Sequence, residues 1–376
     1  MTLLPLTWFS VSDEEIFVAA DNNRLHVAKA NKNDEFYTSL KDIEDELVYY
    51  REHFRGKTIF LNCDDPDYSN FWRWFENRFE SLKLKKLIST HYEMNGSPSY
   101  KLEMIPNPDG GAPIKNKIPL EGDGDFRSDE CIELLKEADI VVTNPPFSLF
   151  REYVSQLMEY NKKFLIIGNK NAVTYKEIFP LLKDDKAWIG FRPINADMWF
   201  EVPKNYEYEK VDENGRHIKH IQACWFTNLD HEKRHEDLDL YRRYFPNEYP
   251  KYDNYDAIDV SEVEAIPKDY SGVMGVPITW IDKYCPEQFE IIGISKTPLG
   301  DHLRTKIYSQ QIQHNKDNSK STVTKLNDGA AIYSESVPQK RPFYEVDGKY
   351  YVAVYPRILI RNKKAKTPKS RRFRKE

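Results

Sequence analysis

The 376-residue chain has only four cysteines, Cys63, Cys131, Cys224 and Cys285, and none stands in a CxxC pair or at a zinc-site spacing. A disulfide framework and a structural zinc module are therefore excluded, and reduced thiols in a cytoplasmic protein are expected. No run of about 18 apolar residues occurs, so no membrane contact or spanning helix is expected. Met1–Asp13 has no basic stretch and runs into acidic residues, which argues against a secretory signal. Phosphate-binding P-loops and internal repeats are missing as well. So is an excess of cations: 55 Lys and Arg stand against 60 Asp and Glu, a net charge of −5. Arg361–Glu376 holds nine of those cations and one acid, which leaves −13 on the rest of the chain. Such a body does not bind polyanions indiscriminately, and any nucleic-acid contact must come from localised basic surface. The 361–376 tail reads equally as a solvated end or a phosphate-binding arm.

What is present is an alternation of helices and short apolar strands, within a length that buries one large α/β core plus a smaller unit. A polar stretch from Ala28 precedes a helix starting near Ser39, with Ile43, Leu47, Tyr50 and Phe54 on one face and Gly56 as its stop. Thr58–Asn62 reads as the first buried strand, Phe71–Lys83 as an aromatic-rich helix, and Lys86–Tyr92 as a second strand. Met94–Leu120, rich in Pro, Gly and Asn, reads as an irregular excursion with room for one hairpin. Helices over Ser128–Ala138 and Ser148–Tyr160 bracket the strand Ala138–Thr143, and Lys163–Gly168 is a further buried strand. Ala187–Phe191 and His220–Asn228 read as an antiparallel pair completing the sheet. Past residue 230 the composition turns charged and Tyr/Pro-rich, and a boundary is placed there.

The most informative residues are Asn144-Pro145-Pro146-Phe147, which follow that apolar strand directly. Open α/β sheets bind ligands outside the carboxyl ends of their strands. Two prolines fix the backbone and remove two donors, leaving carbonyl oxygens free to accept. An Asn amide oxygen, a Pro carbonyl and an aromatic face together suit an amino group on a flat heterocycle. In such a group the nitrogen lone pair is delocalised, and two acceptors on its N–H bonds favour a more reactive, pyramidal nitrogen. The loop after the first strand, Asn62-Cys-Asp-Asp-Pro, lacks the Gly-x-Gly of a dinucleotide site. Asp64 and Asp65 suit a cationic methyl donor, S-adenosylmethionine, better than a phosphate. Glu93, just past the second strand, is a candidate for its ribose.

Other motifs carry less. His231-Glu-Lys-Arg-His matches H-E-x-x-H, but charges all round it make it a solvated polar face rather than a zinc helix. Gly122-Asp-Gly-Asp resembles part of a calcium loop, yet Arg127 takes the next ligand position. No metal is expected. No cysteine follows a proline, where a covalent cytosine-C5 mechanism typically places its nucleophile, so direct transfer to an amino nitrogen remains.

Asp125-Phe-Arg, a helix, and then Ala138-Asp-Ile-Val-Val-Thr-Asn-Pro-Pro-Phe-Ser-Leu-Phe-Arg-Glu resemble the EcoRI-type DNA adenine-N6 methyltransferases. The resemblance runs from about Ala28 to Val173, with weaker echoes near Gly275–Gly293 and at the carboxyl end. It covers the loop after the first strand too, where the family carries the same Asn-Cys-Asp-Asp-Pro followed by Ser-Asn-Phe, here Asn62, Asp64, Asp65, Ser69, Asn70 and Phe71. The resemblance implies that Lys32, Phe36, Tyr37 and Thr38 close over the methionine end of the cofactor. It also implies that Asp125 and Phe126 lie beside the cofactor adenine, and that Asn144, where cytosine enzymes more often have Ser, marks an adenine enzyme.

The expected fold is a Rossmann-like methyltransferase with a mixed seven-stranded sheet and helices on both faces. Residues 1–230 would be catalytic, 231–360 a target-recognition region and 361–376 a basic tail. The expected enzyme flips adenine from duplex DNA, since N6 in a stacked pair cannot be reached in line with the methyl group. Phe147 would stack on one face of the base, with Trp199, Phe200 or Trp225 for the other. Arg304, Lys306, Gln310, Gln311, Gln313 and Asn315 are side chains of the types that read base edges. The protein would act as a monomer in the cytoplasm, associated with the nucleoid through DNA, with or without a separate companion endonuclease. An Asn-Pro-Pro-aromatic methyltransferase of RNA or protein glutamine, and a catalytically silent nucleic-acid binder, remain as alternatives.

Overall fold

The computed structural model describes residues 37–93, 99–202 and 207–365. Strand β1 (Tyr37–Thr38) leads into helix α1 (Leu40–Leu47), which Ser39 caps by accepting the Asp42 N–H at 3.0 Å. A 3₁₀ turn joins it to α2 (Arg51–Phe54). Ile43, Leu47, Tyr50 and Phe54 are all fully buried, as their spacing requires, and Gly56 at φ +70° ends the run. Strand β2 (Thr58–Leu61) is followed by α3 (Asn70–Glu76), which stops well short of the expected Lys83. After Glu76 the chain breaks into turns, and Lys83 adopts φ +50°.

The chain continues through β3 (Lys86–Thr90), β4 (Tyr100–Ile105), β5 (Ile114–Pro119), α4 (Asp129–Glu137), β6 (Ile140–Thr143), α5 (Phe150–Glu159), β7 (Lys163–Asn169) and α6 (Phe179–Lys183). It then forms β8 (Trp188–Ile189), β9 (Trp199–Glu201), β10 (Lys210–Val211), β11 (His217–His220) and β12 (Ala223–Thr227). One sheet has the order β5-β4-β3-β2-β6-β7-β12-β8. Strands β3, β2, β6 and β7 are parallel, while β12 is antiparallel to both β7 and β8. The expected seven strands are therefore corrected to eight. The Pro/Gly/Asn-rich excursion contains a hairpin, β4–β5, that joins the sheet antiparallel to β3. Lys115 and Lys117 on the new edge strand discourage further pairing.

Strand alternation sorts the core. Ile59, Leu61, Ile140, Val142, Leu165 and Ile167 face the helices α1 to α3, and Phe60, Val141, Phe164 and Ile166 face α4 to α6. Helices thus cover both faces. Each fully buried Leu, Ile or Phe stabilises by about 1.5–3 kcal/mol, enough for the hydrophobic pattern to fix which side each helix takes.

A second sheet, β1-β9-β11-β10, was not foreseen from the sequence. Its strands are two to four residues long and too short to show a period. Buried Glu46 fixes the loop that leads to it by accepting the Phe191 and Arg192 backbone N–H groups at 2.6 and 2.9 Å.

Past β12 the chain builds two further sheets. Beyond it, β13 (Ile258–Asp259), β14 (Val273–Pro277) and β15 (Phe289–Ile294) pair with β21 (Arg357–Asn362) in the order β13-β14-β21-β15. Strands β16 (Gln311–His314), β17 (Lys320–Val323), β18 (Ala331–Ser334), β19 (Phe343–Val346) and β20 (Lys349–Ala353) form a separate sheet. The hydrophobic core runs on across residue 230, with Met274, Trp280, Phe289 and Ile358 in the cluster that holds Phe179 and Leu182. The basic tail begins later than position 361. Arg361 and Asn362 are strand residues, and Asn362 is buried. Residues 366–376 lie outside the described residues. No helix among the described residues is long and apolar enough to cross a membrane.

Candidate active site

Strands β2, β3, β6 and β7 run in parallel, so their carboxyl ends share one edge of the sheet, with β6 between β2 and β7. Asn62–Asp65, His91–Glu93, Asn144–Phe147 and Lys170 follow these strands in turn. Small polar side chains lace the edge together. The Thr90 hydroxyl donates to Asn62 Oδ1 at 3.3 Å and Ser89 Oγ to the Leu61 carbonyl at 3.3 Å. The Thr143 hydroxyl lies against both the Asn62 carbonyl and the Asp64 carboxylate.

The Asn144–Phe147 segment is held from both sides. Pro145 is buried, and the Pro146 carbonyl accepts the Leu149 N–H at 3.0 Å, starting the 3₁₀ turn Phe147–Leu149. Phe147 is half-buried, and Phe200 meets it edge-on at 6.4 Å between ring centres. Asp64 receives Ser69 Oγ at 3.2 Å, the Thr143 hydroxyl, and the backbone N–H of Asn144. Burial pushes the Asp64 carboxyl up to about 7 against the pull of these bonds. Asp64 was expected to face the cofactor. It instead turns inward and fixes the backbone of Asn144.

Asp65 takes the other direction. Its Oδ2 lies 3.0 Å from His91 Nδ1, and its Oδ1 accepts the Asp67 N–H at 3.0 Å and the Tyr100 hydroxyl at 3.3 Å. His91 Nε2 is 3.7 Å from Glu93, so one imidazole bridges the loops after β2 and β3. Asp125 is clamped by Arg127 through Nε at 2.8 Å and Nη2 at 2.6 Å. Phe126, expected beside an adenine, is buried with its ring edge-on to Tyr153 at 5.1 Å.

Tyr37 and Thr38 pair with Glu201 and Phe200, which brings the amino-terminal segment to the same edge. Asn70 donates to the Thr38 carbonyl at 2.8 Å, and Ser69 caps α3. Phe71 is buried against Trp225. The Thr38 hydroxyl is buried and has no hydrogen-bond partner among the described residues. That orphaned group, set on an edge that also carries Asp65, Glu93 and Asp125, fits a ligand that combines hydrogen-bonding atoms with positive charge. Lys32 and Phe36 lie outside the described residues.

Several expected roles are corrected by burial. Trp225 is 1% exposed in the middle of β12 and offers no face to an incoming base. Phe200 is fully buried and can only back Phe147. Trp199 points to the opposite side of its strand, with the Lys210 ammonium 3.6 Å from its ring centre. Arg304 is no base reader: its guanidinium is engaged by Asp301 at 2.7 Å and Thr297 at 2.8 Å, and its side chain is 8% exposed. Gln311 is fully buried and accepts the Leu326 N–H at 2.8 Å. Gln313 donates to Asn315, which in turn holds Ser319 and Ser321. Lys306, paired with Asp253, and Gln310 remain on the surface. His231 is buried, its Nε2–H donates to the Ile189 carbonyl at 3.1 Å, and burial pushes its pKa down to about 4. Its segment is a 3₁₀ turn with Arg234 buried, neither a zinc helix nor the solvated face expected.

Sequence reasoning missed Thr143 and His91. The available signal was a polar residue ending an otherwise apolar strand, directly before the Asn-Pro-Pro-Phe motif.

The chain is similar to known proteins over most of its length. The chain is 51% identical over 295 residues to the type II methyltransferase M.EcoRI of Escherichia coli, covering 74% of this chain and 90% of that protein. It is 42% identical over 292 residues to the type II methyltransferase M.MpnI of Mycoplasma pneumoniae, covering 75% and 89%. M.MgeORF184P of Mycoplasma genitalium, also a type II methyltransferase, is 41% identical over 292 residues, covering 75% and 90%. No solved structure matches the chain. The family described as adenine-specific methyltransferase EcoRI matches residues 24–363. The chain belongs to the EcoRI family of adenine-specific methyltransferases.

Proposed function

We propose that the protein methylates N6 of an adenine flipped out of duplex DNA, at a specific sequence, with S-adenosylmethionine as donor. The observation that carries this reading is the Asn144–Phe147 segment, pinned at the carboxyl end of β6 through Asp64 and backed by Phe200. When bound, S-adenosylmethionine supplies a methyl group on a cationic sulfonium. Thr38, Asp65, Glu93 and Asp125 would hold it on the β2–β3 side. The Asn144 amide oxygen and the Pro145 carbonyl would accept the two amino hydrogens of the extruded adenine. Their acceptance draws the nitrogen lone pair out of the ring, and the fixed backbone makes this positioning cost nothing at the moment of reaction. Phe147 would stack on the base.

The resemblance of the chain to type II methyltransferases supports a role as the modification enzyme of a restriction–modification system, with any endonuclease a separate protein. Target recognition is assigned to residues 231–360, and the chain would act as a monomer, since one chain carries both the edge and that region. Methylation-sensitive sequencing of DNA from cells expressing the protein tests the function. N6-methyladenine at one short sequence is expected. Unmodified DNA beside methylated RNA or protein would move the substrate class.

Stacking has its own test. Phe147→Ala should lower transfer through a term of about 1–3 kcal/mol, while Phe147→Tyr and Phe147→Trp retain part of the activity. Equal loss in all three variants would count against a stacked base.

A further inference from the structure

The carboxyl edge is divided by charge about the Asn144 strand. On the β2–β3 side stand Asp65, Asp67, Glu93 and Asp125, with Lys117 and Arg127 already paired to Asp67 and Asp125. On the β7 side the pattern inverts. Lys170 opens the 3₁₀ helix Lys170–Thr174 directly after β7, and it has no ion-pair partner among the described residues. Thr174, at the end of the same turn, accepts from Lys296 Nζ at 2.8 Å, which brings a cation from the carboxyl-terminal half to this edge. Lys296 too has no carboxylate partner among the described residues. Arg151, four residues past Phe147, lies over the Tyr175 ring at 4.2 Å. Burial, and then the Arg151 charge, hold the Lys296 ammonium below its ordinary range. Like charges have been brought close. The acid at hand is Glu177, 3.9 Å from Arg151 and 3.8 Å from Lys176.

Arg151, Lys170 and Lys296, with a single carboxylate, Glu177 beside Arg151, among them, are costly to bring to one edge unless an anion completes them. Resting on the proposed function, we propose that Arg151, Lys170 and Lys296 form a phosphate clamp for the DNA strand that presents the extruded adenine. The clamp lies across the Asn144 strand from the carboxylates. The edge then sorts two substrates of opposite charge: the cationic donor to the β2–β3 side, the polyanionic acceptor to the β7 side. Asn144 stands where they meet. The clamp also gives a body with a net negative charge a localised basic surface for DNA.

The test uses the full chain, a fluorescein-labelled random-sequence duplex, and anisotropy across a salt series. Arg151→Gln, Lys170→Gln and Lys296→Gln should each reduce the slope of log affinity against log salt by about 0.9, the value for one lost phosphate contact. Affinity should fall alike for every sequence, because phosphate contacts position and do not specify. Binding of S-adenosylmethionine, followed by calorimetry, should stay at the wild-type value, which also shows that the variants are folded. Lys296→Arg should keep the wild-type slope. Salt lines parallel to wild type in all three Gln variants, from a protein that does bind and methylate duplex DNA, overturn the clamp alone. A wild-type protein that neither binds nor methylates duplex DNA overturns the clamp together with the proposed function.

Discussion

Asn144→Ala is expected to abolish methyl transfer while leaving duplex affinity within a few fold. The amide acts only on the amino group of a base already extruded, so binding energy gathered at phosphates is not at stake. Neither neighbouring proline can replace it, since proline has no side-chain acceptor and no N–H. Deleting one preorganised polar group of this kind raises a barrier by about 2–4 kcal/mol, or roughly 10²–10³ in rate. Asp64 and Thr143 hold the backbone at this position through groups the substitution leaves in place. The fold around the site should therefore survive. A tritiated-methyl assay with a binding measurement on the same preparation gives the answer. Turnover near wild type would remove Asn144 from the reaction.

How much of this was readable in the sequence depends on the range of the interaction. Ser39 and the Ile43, Leu47, Tyr50, Phe54 series specify their helix within 16 residues, and all four side chains are buried as their spacing requires. The Asn-Pro-Pro-Phe motif was legible for the same reason: the strand that delivers it is its immediate neighbour. Asp64 was not. Its partners Thr143 and Asn144 lie 79 and 80 positions along the chain, and a carboxylate in a polar turn looks the same whether it faces solvent, a cofactor or a backbone N–H.

The carboxyl-terminal half shows the converse error. Arg304 and Gln311 have the chemistry of base readers, yet each is turned inward, Arg304 to Asp301 and Thr297 and Gln311 to the Leu326 backbone. Side-chain type alone does not separate a group that reads DNA from one that closes a loop. The clamp on the β7 side was illegible for a related reason, because Arg151, Lys170 and Lys296 come from three separated segments that only the packing of α5, β7 and β15 brings to one edge.

Asp64→Asn should change how stability depends on pH, and the direction is fixed by the environment of the carboxyl. Burial raises its folded-state value from 3.8 to about 7, so between those limits the folded chain keeps a proton that the unfolded chain has released. Stability contributed by this group must then fall as pH rises through that window, by up to about 1.4 kcal/mol per pH unit. Asparagine cannot titrate, so the variant lacks this downward slope. Urea unfolding at a series of pH values should show the variant gaining on wild type from about pH 4 to about pH 7. Catalysis should move the other way. Above about pH 7, where the carboxyl is ionised, it presents two acceptor oxygens; the amide presents one, and its NH₂ group cannot accept the Asn144 N–H. Loss of that anchor loosens the one residue whose placement the reaction needs, so kcat should drop while affinity for S-adenosylmethionine is kept. Parallel stability curves for the two proteins would mean that Asp64 is ionised in solvent, and with that its role in holding Asn144 would fall.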